Sequence, residues 1–142
     1  MKKLWIIAVL AQSLWLFAAG EIDTGKTHRI LYLTSFHSSY EWTGKVEMGL
    51  FQALNKSFFQ FSIDTFELNT LQETDPAEWQ RKFELCLPLI QRGDYELVIV
   101  GSNNAIELLR QNFSRIPKDL PLIFCSYFHY DPEILKEHPN MT

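Results

Sequence analysis

Short apolar runs alternate with longer amphipathic segments along residues 29–125, and this alternation limits the folds open to the chain. The run at 29–36 has the continuous apolar character that is typical of a strand buried on both faces of a sheet, and the apolar runs at 95–100 and 122–125 indicate two further strands. The run at 61–68 alternates apolar and polar residues and indicates a strand nearer the sheet edge. The pattern predicts an α/β fold, a Rossmann-like parallel sheet of about four strands with helices on both faces.

Three segments between these runs carry apolar residues at helical intervals. The first helix is predicted over residues 42–57, with an apolar stripe of Val46, Leu50, Leu54 and Phe58. Before it, Ser38 and Glu41 have the spacing of a capping box. The second is predicted to begin after Asp75, whose side chain can cap it, while Pro88 within the pattern predicts a kink or an early end. The third follows the third apolar run.

The first twenty residues have the three-part layout of a secretory signal peptide. Two lysines precede an apolar run at residues 4–17, and small residues stand at 18–20. Residues 1–20 are therefore predicted to be a signal peptide, removed by cleavage near Gly20 and Glu21, that sends the protein to the periplasm or outside the cell. The alternative is an uncleaved helix that anchors the chain in a membrane. A polar linker is then predicted at residues 21–28.

The composition limits the functions open to the chain. The net charge is −4 and no run of Lys and Arg is interleaved with aromatic residues, so nucleic acid is not an expected partner. The two cysteines, Cys86 and Cys125, lack the spacing of a zinc site, and His28, His129 and His138 show no metal-ligand spacing. Neither a metal nor a cofactor is therefore expected. Cys125, at the end of a predicted strand, is interpreted as a small core residue, with a Cys86–Cys125 disulfide after export as the alternative.

Polar turns follow three of the predicted strands, at residues 34–42, 101–104 and 125–128. Ligands bind outside the carboxyl ends of the strands in an open parallel sheet, so these turns are predicted to converge on one site. Their hydroxyls, amides, backbone N–H groups and aromatic faces suit a small polar or anionic ligand. The alternative is that the polar residues only cap helices.

An enzymatic interpretation uses the same first turn. Ser35, His37 and Glu41 permit a nucleophile, a base and an orienting group, as in a small secreted hydrolase. Ser35 is not in a G-x-S-x-G elbow, however, and all three residues lie within one short loop. The chain is therefore predicted not to be an enzyme, and the hydrolase using Ser35 and His37 stays as an alternative.

The residues of these turns resemble periplasmic sensor domains related to the ABC-transporter substrate-binding protein family, of the type I periplasmic-binding-protein kind. Those domains begin with a strand, a Ser-Tyr/Phe-His turn and a Tyr-x-Trp pair; here residues 35–37 read Ser-Phe-His and 40–42 read Tyr-Glu-Trp. Residues 94–109 resemble the third strand and following helix of the family, and 116–125 its fourth strand. Residues 138–142 resemble the start of its Asn-x-Thr-Gly-Val segment near the crossing between lobes.

The resemblance implies a two-lobed protein that closes on a small ligand, of which residues 29–142 would be the N-terminal lobe only, truncated before the second lobe. Many family members are the extracytoplasmic input of sensor histidine kinases or diguanylate cyclases, and others deliver solute to a transporter. The implied partners are thus a small-molecule ligand, a second lobe, and a membrane signalling or transport protein. The residues implied to face the cleft are Ser35, Tyr40, Trp42, Ser102, Asn103, Asn104 and Ser126. A lobe that recruits another protein without any ligand is the remaining alternative.

Overall fold

Four parallel strands form one sheet in the computed structural model, which describes residues 25–142. The strands are β1 (Thr27–Thr34), β2 (Gln60–Glu67), β3 (Leu97–Gly101) and β4 (Leu122–Cys125), and their order across the sheet is β2-β1-β3-β4. The predicted α/β class and parallel sheet are confirmed, and β2 is an edge strand as predicted. The predicted signal peptide, residues 1–20, lies outside the described residues.

Helices cover both faces of the sheet. They are α1 (Glu41–Asn55), α2 (Pro76–Gln91), α3 (Asn103–Gln111) and the short α4 (Ile134–Glu137), with a 3-10 turn at Phe113–Arg115. Neither α4 nor the 3-10 turn is predicted from the sequence, because both are too short to show a helical period.

The larger core lies between the sheet and the pair of helices α2 and α3. Alternate strand residues point to this face, so Leu31 and Leu33 of β1 lie beside Val98 and Val100 of β3. The helices contribute Phe83, Leu87, Ile90, Ile106 and Leu109, all of which are buried. This layer contains most of the buried apolar side chains that hold the fold together.

A smaller core lies under α1 on the opposite face of the sheet. Ile30, Tyr32 and Ile99 form its sheet side, and the partly buried Val46, Leu50 and Leu54 of α1 pack against them. The apolar stripe predicted for the first helix is therefore confirmed as far as Leu54. Phe58, predicted on the same stripe, lies beyond the helix and is 92% exposed.

Three local boundaries differ from the prediction. β1 begins at Thr27, so the last two residues of the predicted linker belong to the sheet. The predicted capping box is wrong, because α1 begins at Glu41 with Tyr40 at its N-cap, and the N-cap side chain makes no capping hydrogen bond. Pro88 does not end α2, which continues to Gln91, because a proline in the last turn removes only one helical hydrogen bond.

The last residues of the chain run beside β4. The N–H of Leu122 donates to the carbonyl of Asn140, and the N–H of Thr142 donates to the carbonyl of Leu122, both at 2.9 Å. The N–H of Phe124 donates in turn to the carbonyl of Thr142 at 3.0 Å. Residues 140–142 therefore cover the side of β4 that faces away from β3, and Met141 is buried there.

Candidate functional site

The loops that follow the four strands meet at the carboxyl end of the sheet. The N–H of Ser35 donates to the carbonyl of Gly101 at 3.1 Å, and the N–H of Ser102 donates to the carbonyl of Cys125 at 3.1 Å. These bonds continue the sheet pairing beyond the ends of β1 and β3. The three turns predicted to form a site are therefore neighbours in the structure.

Ser35 holds α3 against β1. Its side chain is completely buried, and its hydroxyl donates to the carbonyl of Gly101 at 3.3 Å. The same oxygen accepts from the N–H of Ala105, in the first turn of α3, at 2.9 Å. The hydroxyl hydrogen and one acceptor lone pair of Ser35 are thus used within the fold, and its burial keeps the hydroxyl away from the exposed surface of the site.

His37 lies beside Ser39 and Glu67 in the exposed loop before α1. Its Nδ1 is 2.9 Å from the hydroxyl oxygen of Ser39, and its Nε2 is 3.4 Å from a carboxylate oxygen of Glu67. The hydroxyl of Ser35 bonds to Gly101 and Ala105 instead. The geometry therefore provides no observation in favour of the hydrolase alternative.

Asn103 and Asn104 connect loops through their side chains. The Asn104 amide donates to the hydroxyl of Thr70 at 2.9 Å, and the side-chain oxygen of Asn103 accepts from the N–H of Phe128 at 2.9 Å. The N–H of Thr70 donates to the carbonyl of Ser35 at 2.8 Å. The loop after β2, which is not among the predicted turns, therefore contacts two of them through Thr70.

Aromatic rings stand exposed above these loops. Trp42 is 48% exposed, and its ring centroid lies 6.4 Å from that of Phe128, which is 73% exposed. Tyr40 contacts Phe36 edge to face, with centroids 5.4 Å apart. Trp42 and Phe128 bring the first and third predicted turns together and present ring surface to solvent.

Left-handed backbone conformations cluster at the same end of the sheet. The non-glycine residues with positive φ in the described part of the chain are Asn69 at 58°, Ser102 at 72° and Ser126 at 58°. Each follows the carboxyl end of a different strand, β2, β3 or β4. Such residues cost of order 1–3 kcal/mol each and are concentrated in proteins at active sites and ligand clamps.

The first turn of α3 offers backbone donors. Ser102, its N-cap residue, makes no side-chain capping bond, while the N–H groups of Ala105 and Ile106 donate to the Ser35 hydroxyl and the Ser102 carbonyl. Within residues 25–142 no hydrogen-bond partner accepts from the N–H groups of Asn103 and Asn104. These groups can donate to a carboxylate, phosphate or carbonyl oxygen.

A second cluster of polar residues, next to α1, was not predicted from the sequence. Glu67 accepts the N–H of Ser38 at 2.7 Å, and burial together with the Glu67 carboxylate raises the pKa of Glu47, whereas the His37 ring lowers it. The Thr43 hydroxyl and one Glu47 oxygen are buried without partners among the described residues. The sequence pattern that could have predicted this group is the four-residue spacing of Thr43 and Glu47, which lie beside the apolar stripe of α1.

The two cysteines are free thiols on opposite faces of the sheet. Cys86 lies in the larger core, where burial raises the pKa of its thiol to about 12, and Cys125 packs against the smaller core. The alternative of a disulfide between them is therefore wrong, because a bridge would have to pass through the sheet. No cluster of three potential metal ligands occurs among residues 25–142.

Cavities near the three predicted turns are separate from one another. One of about 240 Å³ is lined by Tyr40, Trp42 and their neighbours, and one of about 400 Å³ lies between α2 and α3 beside Asn104. A third, of about 480 Å³, lies beside Ser126. None of these three joins two of the turns, so the carboxyl end of the sheet is an open wall at these positions.

No protein-family model, no curated protein and no solved structure matches this chain. The resemblance to periplasmic sensor domains, carried by residues 35–42 and 94–109, therefore stays a prediction from the sequence. Within the part of the chain that the structure describes, no helix is long and apolar enough to cross a membrane.

Proposed function

We propose that residues 29–142 form an extracytoplasmic lobe that binds or senses a small ligand, as the input module of a signalling protein such as a histidine kinase or a diguanylate cyclase. The observation that carries the proposal is the pair of unpartnered N–H groups of Asn103 and Asn104 among cross-linked loops. The signal-peptide layout of residues 1–20 supports the location outside the cytoplasm.

The arrangement suits a ligand that combines an acceptor with a flat or apolar part. The N–H groups of Asn103 and Asn104 lie at the positive end of α3 and can bind a carboxylate or another oxygen. The exposed rings of Trp42 and Phe128 lie beside the neighbouring loops and can stack on the remainder of the ligand. Backbone donors and ring faces together are the usual means by which small-molecule sites fix orientation.

The loops are held in place before a ligand arrives. Asn103 connects the loops after β3 and β4, Asn104 connects the loops after β3 and β2, and the Ser35 hydroxyl holds the first turn of α3. Because these bonds fix the donors in the unliganded lobe, less ordering is needed on binding. This rigidity fits a wall against which a second lobe closes.

The open shape of the wall sets the expected affinity. Small-molecule sites bury about 70–90% of the ligand surface, and a single open wall buries less. Closure of a second lobe would supply the missing contacts and exclude water. We therefore expect dissociation constants in the millimolar range for the chain of 142 residues by itself.

NMR titration of the purified chain tests the proposal, because chemical-shift changes report millimolar binding. The probes are a panel of amino acids, nucleosides, monosaccharides and inorganic phosphate. At least one probe is expected to shift the amide signals of Asn103 and Asn104 and to bind about 10-fold more weakly to Trp42→Ala, as expected for the loss of one stacking ring.

The matched control is Phe58→Ala, at a ring that is 92% exposed and lies beyond α1. It removes a similar aromatic surface and is expected to leave the affinity unchanged. The absence of any shift at Asn103 and Asn104 with every probe, or equal affinity for Trp42→Ala and the original chain, would contradict the site.

A further inference from the structure

A cavity of about 480 Å³ lies beside β4, on the side covered by residues 140–142. Its aromatic wall is formed by Phe124, Tyr127 and Tyr130, and its remaining lining includes Leu135 and Met141. Phe124 and Tyr127 also pack against the larger core, so their positions are supported from behind. The cavity shares Ser126 with the proposed ligand site but none of Trp42, Asn103 and Asn104.

The three rings meet at steep angles. The centroids of Phe124 and Tyr127 are 6.5 Å apart with an interplanar angle of 64°, and those of Tyr127 and Tyr130 are 6.5 Å apart at 84°. Tyr130 is 54% exposed and stands at the rim, which leaves the cavity open to solvent. Rings at such angles present their faces in different directions, and each ring face carries partial negative charge.

The charges around the cavity favour a cation. Its lining contains no Lys, Arg or His, and its polar side chains are those of Ser126, Thr142, Cys125 and the two tyrosines. The hydroxyl of Tyr127 donates to the carboxylate of Glu107, which places a negative charge at the hydroxyl end of that ring. Burial and this bond raise the pKa of Tyr127, so the ring stays a neutral phenol that donates its proton.

The nearest guanidinium is already neutralised. Arg110 binds the carboxylate of Glu137 and lies 4.0 Å from a carboxylate oxygen of Asp131. It therefore contributes little net positive charge to the cavity. An anion would find no cationic partner in the lining, and a sugar would find few of the hydrogen bonds that its hydroxyls need.

We propose that this cavity binds the quaternary or tertiary ammonium group of a small molecule. Such a cation carries its charge on an apolar surface and interacts well with ring faces, whereas a hydrated inorganic cation prefers several carboxylate oxygens, and no Asp or Glu lines this cavity. The inference goes beyond the proposed function, because it requires neither the donors of α3 nor a second lobe.

Titration of the full chain with choline, followed by NMR, tests the inference. Choline is expected to shift the signals of Tyr127 and Tyr130 with millimolar affinity, and Tyr130→Leu is expected to weaken binding about 5-fold, as for the loss of one cation–π contact. Phe58→Leu, at a ring that is 92% exposed and lies beyond α1, is the matched control and is expected to bind choline normally.

The neutral carbon analogue of choline, in which carbon replaces the quaternary nitrogen, separates charge recognition from simple apolar burial. It is expected to bind about 10-fold more weakly than choline. Equal binding of the two, or no choline binding at millimolar concentrations, would overturn the inference. Loss of choline binding in Trp42→Ala but not in Tyr130→Leu would also overturn it, and would place the cation at the site proposed above.

Discussion

The side-chain amide of Asn104 donates to the hydroxyl of Thr70 at 2.9 Å, and this bond spans the end of a strand. Asn104 follows β3 and Thr70 follows β2, and β1 lies between these two strands in the sheet. The N–H of Thr70 donates to the carbonyl of Ser35, which follows β1. The pair therefore connects loops from three strands next to the first turn of α3.

A double-mutant cycle measures what this pair contributes. Asn104→Ala and Thr70→Ala are each expected to lower the free energy of unfolding by about 1 kcal/mol, because each leaves a partly buried partner unsatisfied. The double variant is expected to lose less than the sum of the two, since the second substitution removes a group that has already lost its partner. Urea denaturation gives the values, Thr70→Ser is the control that keeps the hydroxyl, and strictly additive losses would show that the bond is not formed in solution.

Ser102→Gly is expected to stabilise the protein by about 1 kcal/mol. Ser102 has φ 72° and ψ 156°, a region that is populated almost only by glycine, and its side chain makes no capping bond. The reverse comparison is Gly93→Ala, which is expected to destabilise by about 1 kcal/mol because Gly93 has φ 74°. Chemical denaturation of both variants measures the direction of each change in unfolding free energy. A destabilised Ser102→Gly would mean that the serine side chain has a role that its contacts do not show.

Stability is expected to fall at mildly acidic pH because of His138. The side chain is 2% exposed and packs against Phe113, and burial lowers the pKa of its ring below the ordinary value, although the carbonyl of Pro117 acts in the opposite direction. The unfolded chain then takes up a proton more readily than the folded one. The contribution of His138 to the unfolding free energy is therefore fully present above the unfolded pKa of about 6.5. It is lost as the pH falls towards the lower pKa of the folded state.

His138→Phe tests this assignment. The ring is replaced by one of similar size that does not titrate, so the fall in unfolding free energy between about pH 7 and pH 5 is expected to become smaller. His129→Phe, at an exposed histidine, is the control and should keep the original pH dependence. Denaturant titrations at several pH values provide the measurement, and an unchanged slope in His138→Phe would assign the acid sensitivity to another group.

Both cysteines are expected to remain reduced. Cys86 is completely buried with a pKa raised to about 12, and Cys125 lies on the other face of the sheet. A thiol reagent at about pH 8 should therefore leave Cys86 unmodified in the folded protein, because the thiolate is the reactive form. The unfolded protein, prepared without reductant, should titrate as two thiols. Fewer than two would indicate a disulfide and contradict the placement of these residues.

Local sequence signals predicted those elements whose determinants are close in the chain. Asp75 caps α2 by accepting the N–H of Ala77 at 2.9 Å, as its position before Pro76 indicates. Ser38 has an equally good local pattern but lies before the Tyr40 N-cap of α1, and its N–H, which in a capping box would donate to Glu41, donates to Glu67 of β2. That competing partner lies 29 residues away in sequence, where no local pattern reports it.

The candidate site was likewise predicted only in part. The sequence places polar turns after the first, third and fourth strands, and parallel pairing brings those turns to one end of the sheet. The sequence does not show which polar groups of these turns already form hydrogen bonds within the fold. The Ser35 hydroxyl is hydrogen-bonded to Gly101 and Ala105, whereas the backbone N–H groups of Asn103 and Asn104 have no acceptor among residues 25–142.

By itself the sequence determined the α/β class and the end of the sheet at which the polar turns meet, because strand and helix periods are local properties of the chain. The tertiary structure alone decided which polar groups face one another, since that depends on the strand order β2-β1-β3-β4. This order places Thr70 beside Asn104 across the end of β1 and separates Cys86 from Cys125 by the sheet. Contacts between residues far apart in sequence follow from packing, and the local pattern of either partner does not contain them.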